Sequence, residues 1–98
     1  MNMTTSTKFE AIDKEKIGEL RFPQTEVLID KERIQEREAN LKRALTLGNL
    51  EHAKTKIFFE DETGLKVVET TVWGVTDKRI ILKHGVVIPI QRVHSIVI

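Results

Sequence analysis

Leu65-Lys66-Val67-Val68-Glu69-Thr70-Thr71-Val72-Trp73-Gly74-Val75, Arg79-Ile80-Ile81-Leu82-Lys83 and Val86-Val87-Ile88-Pro89-Ile90 are the runs that decide the fold. They are dense in β-branched and aromatic side chains, which fit a pleated, half-buried surface better than a helix. Between them stand Thr76-Asp77-Lys78 and His84-Gly85, residues that favour tight turns. Links this short join antiparallel neighbours. Upstream, Lys54 to Glu60 alternates in the same way and ends on Asp61-Glu62-Thr63-Gly64. Downstream, Val93 to Ile98 completes the set. The reading is five antiparallel strands: Lys54–Glu60, Leu65–Val75, Arg79–Lys83, Val86–Arg92 and Val93–Ile98. Gly74 suggests a bend, and Pro89, which lacks an N–H for a ladder, points to an edge or bulge.

The last two strands carry apolar residues on both faces, with Val86, Val87, Ile88 and Ile90 nearly continuous. One helix on one side of an open sheet leaves the other side bare, so the pattern calls for closure into a barrel or for pairing with another chain.

Ahead of the strands the period changes. From Asp30 to Leu47, the residues Ile34, Leu41, Ala44 and Leu45 mark a narrow helical stripe among charges. Asp30 suits the N-cap, and Glu32 and Lys42-Arg43 suit the two ends of the helix dipole. Gly48-Asn49 reads as the stop. Like-charged Glu32/Glu36 and Arg33/Arg37 oppose the favourable Glu38/Lys42 pair, so packing must hold the helix in place. Phe9, Ile12, Ile17 and Leu20 suggest a shorter helix closed by Phe22-Pro23, and Met1–Lys8 reads as a disordered end.

The chain has 98 residues, which suits one domain: an end over 1–8, a helical part over 9–52 and a β-part over 53–98. It has 16 basic and 15 acidic side chains, so no strong net field draws it to nucleic acid or to an anionic membrane. The β-part, with 7 basic and 5 acidic groups, is mildly basic. There is no cysteine, which removes disulfides and thiolate metal sites and fits the cytoplasm. Neither an apolar run of membrane length nor a signal peptide is visible, so no membrane role is expected.

Catalytic chemistry finds little to work with. His52, His84 and His94 lack metal-ligand spacing, Ser6 and Ser95 stand in no nucleophile elbow, and Glu60-Asp61-Glu62 lacks the pattern of a calcium loop. Neither a metal nor a cofactor is expected, and the chain reads as a non-enzyme. His84 reads as a turn residue, His94 as a surface residue and the acidic triplet as a solvated hairpin tip. The groups that stand out for ligand contact are Lys78, Arg79, Gln91 and Arg92, placed at strand ends where loops can present them together. Trp73, the sole tryptophan, reads first as a core or interface anchor whose truncation would damage the fold more than any other change in the β-part, and second as a stacking residue.

Two local resemblances sharpen this. Thr76-Asp77-Lys78-Arg79-Ile80-Ile81-Leu82-Lys83 resembles the acidic turn and apolar strand of Sm-like small barrels, in particular the bacterial Sm-like RNA chaperone family. Gly64-Leu65-Lys66 and Arg92-Val93-His94-Ser95-Ile96 fall where that family's second strand begins and its last turn and strand lie. Glu69 stands where its bent strand wants glycine, Arg79 where it has an aromatic residue, and Ile90-Gln91-Arg92 where it has Tyr-Lys-His. The resemblance implies an α+β chain, a helical segment followed by a five-stranded antiparallel meander closing as a small barrel. Thr76-Asp77-Lys78-Arg79, Gly85 and Ile88-Pro89-Ile90 also resemble bacterial pleckstrin-homology-like domains, so an open sheet or a half-barrel of that type is the alternative; a complete domain of that kind needs about seven strands and a closing helix. The expected function is a binding or assembly module that pairs with another copy or another protein through its β-part, with Sm-like RNA binding as the second expectation.

Overall fold

The computed structural model describes residues 8–98, so the expectation of a disordered end falls almost wholly outside the described residues. The fold is α+β, with one α-helix and two sheets among the described residues.

Helix α1 spans Lys31–Glu51, and the Asp30 carboxylate caps it by accepting from the backbone N–H of Glu32 at 3.1 Å. It does not stop at Gly48-Asn49. It runs on to Glu51 and ends where His52 turns left-handed at φ 56°. Gly48 serves a different need, because a Cβ there would sit 2.3 Å from the carbonyl oxygen of Val72. The glycine marks a close approach between helix and sheet. Arg37, Leu41, Ala44 and Gly48 are the buried line of this helix, spaced as one helical face requires.

In chain order the strands are β1 (Glu10–Ala11), β2 (Thr55–Asp61), β3 (Gly64–Thr70), β4 (Val72–Val75), β5 (Arg79–Leu82), β6 (Val87–Pro89) and β7 (Val93–Val97). One sheet has the order β1-β3-β2-β7 and the other β4-β5-β6. In β2 the alternation is strict: Thr55, Ile57, Phe59 and Asp61 are buried while Lys56, Phe58 and Glu60 turn away, as a strand with one face on a core demands. Ile57, Phe59, Val68, Val72, Ile80, Leu82, Ile88, Val93 and Ile96 meet Ile17, Leu41 and Ala44 in a single core.

Four expectations are corrected here. The long strand Leu65–Val75 is two strands, broken at Thr71, whose hydroxyl donates to the His52 carbonyl and whose own carbonyl accepts from the Lys83 N–H; the chain passes from one sheet to the other at that residue. The strand expected over Val86–Arg92 keeps only Val87–Pro89, and Ile90–Arg92 is a 3-10 turn. No closed barrel forms: β6 pairs with β5, β7 returns to pair with β2, and the turn between them separates the sheets. Finally, Phe9–Leu20 is not a helix. Glu10–Ala11 pairs in parallel with Lys66–Val67, and a 3-10 helix over Lys14–Glu19 buries Ile17. Ile17 comes five positions after Ile12, which does not place the two on one helical face.

Trp73 is not in the core either. Val72 pairs with Leu82 and Gly74 with Ile81, which leaves Trp73 as the extra residue of a β-bulge. Bulges re-aim side chains, and Trp73 is 49% exposed, its ring edge-on to His84 at 6.4 Å between centroids.

Candidate functional site

The expected contact residues separate into three groups. Lys78, Arg79 and Gln91 come together on one cleft of about 610 Å³, with Phe22, Pro23 and Glu26 across from them. The turn Thr76-Asp77-Lys78 presents the first two: the Thr76 hydroxyl accepts from the N–H groups of Lys78 and Arg79 at 3.2 and 2.9 Å. The 3-10 turn after β6 presents Gln91, held because the Ile90 N–H donates to the Lys78 carbonyl at 2.9 Å. Gln91 is already engaged, its amide N–H₂ donating to the Gln24 carbonyl.

Arg92 forms the second group, and the expectation that it contacts ligand is corrected. It is buried, with Nε donating to the Glu60 carbonyl at 3.1 Å and Nη1 to the Thr25 carbonyl and hydroxyl at 2.8 and 3.0 Å. Its donors tie the segment before α1 to the sheet. Trp73, the third group, does not line the cleft and stands on the outer face of β4-β5-β6.

That outer face is built by strand alternation. Val72, Ile80, Leu82 and Ile88 are fully buried on the inner side. On the other side Ile81 pairs with Val87, and Arg79 with Pro89. A Cβ on Gly74 would meet the Ile81 side chain at 3.4 Å, so both point outward together. Val87 is 40% exposed.

Several polar residues missed in the sequence prove structural. Arg37 grips Glu26 through two hydrogen bonds of 2.8 Å and also donates to the Val93 carbonyl at 2.8 Å. Burial opposes ionisation of Glu26, but the guanidinium and the N–H groups of Leu28 and Val27 outweigh it and hold the carboxyl below its ordinary range. Helical spacing to Leu41 was the signal that could have found Arg37.

The acidic triplet is not simply a solvated tip. Asp61 is buried and accepts from the Lys66 ammonium at 3.1 Å, from the Thr63 hydroxyl at 3.0 Å and from the N–H groups of Thr63 and Gly64. Burial again opposes its charge, and these donors overcome it, so its pKa is lowered. Glu60 hydrogen-bonds His94 at 2.9 Å, which makes that histidine half-buried rather than a plain surface residue. His84 is in a turn, left-handed at φ 69°. Among the described residues no three His, Asp or Glu side chains converge as metal ligands, and no helix is long and apolar enough to cross a membrane.

No family model, curated protein or solved structure matches the chain.

Proposed function

We propose that the chain is a small non-enzymatic binding or assembly module acting in the cytoplasm, and that it works through protein–protein association of its β-part. One observation carries this reading: Val87 at 40% stays exposed on the face that also carries Trp73 at 49%, and Val97 at 51% stays exposed on the last strand of the other sheet. Apolar side chains grouped on strands with an open side are where chains associate. The order helix, antiparallel strands, final strand back on the first long one is what the Sm-like resemblance has in common with this chain, although its two sheets stay separate. Light scattering of the chain from micromolar to millimolar concentration, and the elution of the tagged chain in cell extract, test the function. A monomer throughout, with elution in extract unchanged by Val97→Lys or Val87→Glu, removes this reading.

A second reading, binding of single-stranded RNA, is favoured by the convergence of Lys78, Arg79 and Gln91 on one cleft. It predicts anisotropy changes with labelled oligouridylate at low salt, where phosphate contacts are strongest, and their loss in Lys78→Glu with Arg79→Glu. Absence of binding at low salt ends it.

A further inference from the structure

The outer face of β4-β5-β6 has a centre and a rim of different chemistry. Its centre is Trp73, Ile81, Val87 and Pro89, around the bare backbone of Gly74. Its rim is cationic. Arg79 stands opposite Pro89, Lys78 precedes it, and Lys83 and His84 follow β5 in the turn that brings the imidazole to Trp73. Lys78, Arg79 and Lys83 are exposed, and none forms an ion pair among the described residues. The opposing charges are Asp77 in the adjoining turn and Glu15, an exposed carboxylate held below its ordinary range chiefly by its own backbone N–H and by Lys14 and in small part by the nearby His84.

From this arrangement we infer that the outer face of β4-β5-β6 docks an acidic protein segment, one that presents carboxylates around an aliphatic centre. The inference rests on the association reading above and names its surface and partner. Tryptophan and arginine concentrate binding energy at protein interfaces when a desolvated centre lies within a polar rim. An anion partner is selected because like charges facing each other are costly. That same cost opposes a two-fold pairing of this face with its own copy, which would set Arg79 and Lys83 against themselves. Single-stranded nucleic acid fits the centre less well, since Ile81, Val87 and Pro89 offer no π-face for successive bases. Strand addition at β6 is disfavoured by Pro89, which cannot donate to a ladder. The face is therefore a better docking element than the β6 edge.

Trp73 is the only tryptophan of the chain, so its emission reports this face alone. The experiment titrates the full chain at low salt with a synthetic acetylated peptide, Asp-Glu-Leu-Ile-Leu-Glu-Asp, and with a control in which every acid is lysine. The expected result is a saturable blue shift with the acidic peptide and none with the control. Affinity should weaken about tenfold or more in Arg79→Glu with Lys83→Glu and fall as salt screens the rim. Both substituted side chains are solvent-exposed, and an unchanged circular dichroism spectrum verifies that the variant folds. Amide shifts at Ile81 and Val87 provide a second readout independent of the indole. An emission that ignores the acidic peptide but responds to oligouridylate overturns the inference in favour of nucleic acid. An emission that shifts with protein concentration alone overturns it in favour of a second copy. Should the peptide fail while light scattering still detects an assembly broken by Val97→Lys, this inference falls and the broader association reading stands.

Discussion

Arg37 and Glu26 are joined by a two-pronged ion pair, with both bonds at 2.8 Å, and the same guanidinium reaches the Val93 carbonyl. A side chain on the buried face of α1 thus fastens both the segment that leads into the helix and the start of β7. Arg37 is almost wholly buried while Glu26 keeps a third of its side chain in water, so solvent weakens the pair below a fully buried one. Arg37→Ala takes the guanidinium from the Val93 carbonyl and from the carboxylate, which keeps only backbone N–H donors, and a buried acceptor that loses its partner typically costs about 1–3 kcal/mol. Urea denaturation should show a lower midpoint for Arg37→Ala than for Glu26→Gln, which retains a partner oxygen for the arginine. Equal midpoints would show that the carbonyl contact contributes nothing.

Two carboxyls make stability depend on acid. Glu26 and Asp61 are held below their ordinary values of 4.5 and 3.8, each by cationic and N–H donors that overcome burial. A depressed folded-state pKa means that the unfolded chain binds protons more readily, so the contribution is complete above the unfolded value and disappears as pH falls through the folded one. Urea midpoints should therefore be flat near neutrality and decline below about pH 4.5. Asp61→Asn should start lower, because Lys66 loses its nearer and buried charged partner, and then fall less steeply. A wild-type curve that is flat down to pH 3 would remove the two carboxyls as stabilising ions.

Much of this architecture was legible because it rests on local rules. Ile57 and Phe59 alternate with Lys56 and Phe58, Asp30 caps as its side chain allows, and the turns at Thr76-Asp77-Lys78 and His84-Gly85 occur where their residues favour them. What was not legible depends on distant partners. Two residues, Glu10 and Ala11, carry no period, and their strand exists only because β3 offers an edge. Arg37 read only as a like-charged neighbour of Arg33 and Arg92 as a ligand contact, because nothing near them in the chain announces Glu26, Thr25 or the carbonyls they satisfy. The bulge at Trp73 arises from the register of β4 on β5, which hydrophobic pattern alone does not specify. The convergence of Lys78, Arg79 and Gln91 followed from turn positions and was within reach.

Gly48 illustrates a glycine misread as a helix stop. Its hydrogen leaves room for the Val72 carbonyl, and a methyl group would enter that space at 2.3 Å. Backbone cannot rotate away as a side chain can, so Gly48→Ala should force α1 off β4 and cost about 1–3 kcal/mol, although alanine is the better helix former. Gly18→Ala is the matched control, since nothing lies within 4 Å of its added carbon. Thermal denaturation of the two variants should separate them by several degrees. A Gly48→Ala protein at least as stable as wild type would show that helix and sheet do not approach this closely.

Trp73 and Phe59 should behave in opposite ways on truncation. The expectation that Trp73 anchors the core does not hold, because the bulge turns it out of the sheet and leaves it 49% exposed, whereas Phe59 is fully buried in β2. An exposed ring gives up only part of its contact when removed, and surface changes away from special features usually stay within about 0.5 kcal/mol. A buried aromatic reduced to alanine leaves a cavity as well as lost transfer energy, about 3–5 kcal/mol. Against a total stability of about 5–15 kcal/mol, Phe59→Ala should bring the chain close to unfolding at ambient temperature, while Trp73→Ser should keep the wild-type urea midpoint and slope. Trp73→Ser should nonetheless weaken any association made through the outer face of β4-β5-β6, because the indole is its largest apolar group. The decisive measurement sets the urea curve of each variant beside its light-scattering mass. A large drop in midpoint for Trp73→Ser would return the indole to the core and remove it from the interface.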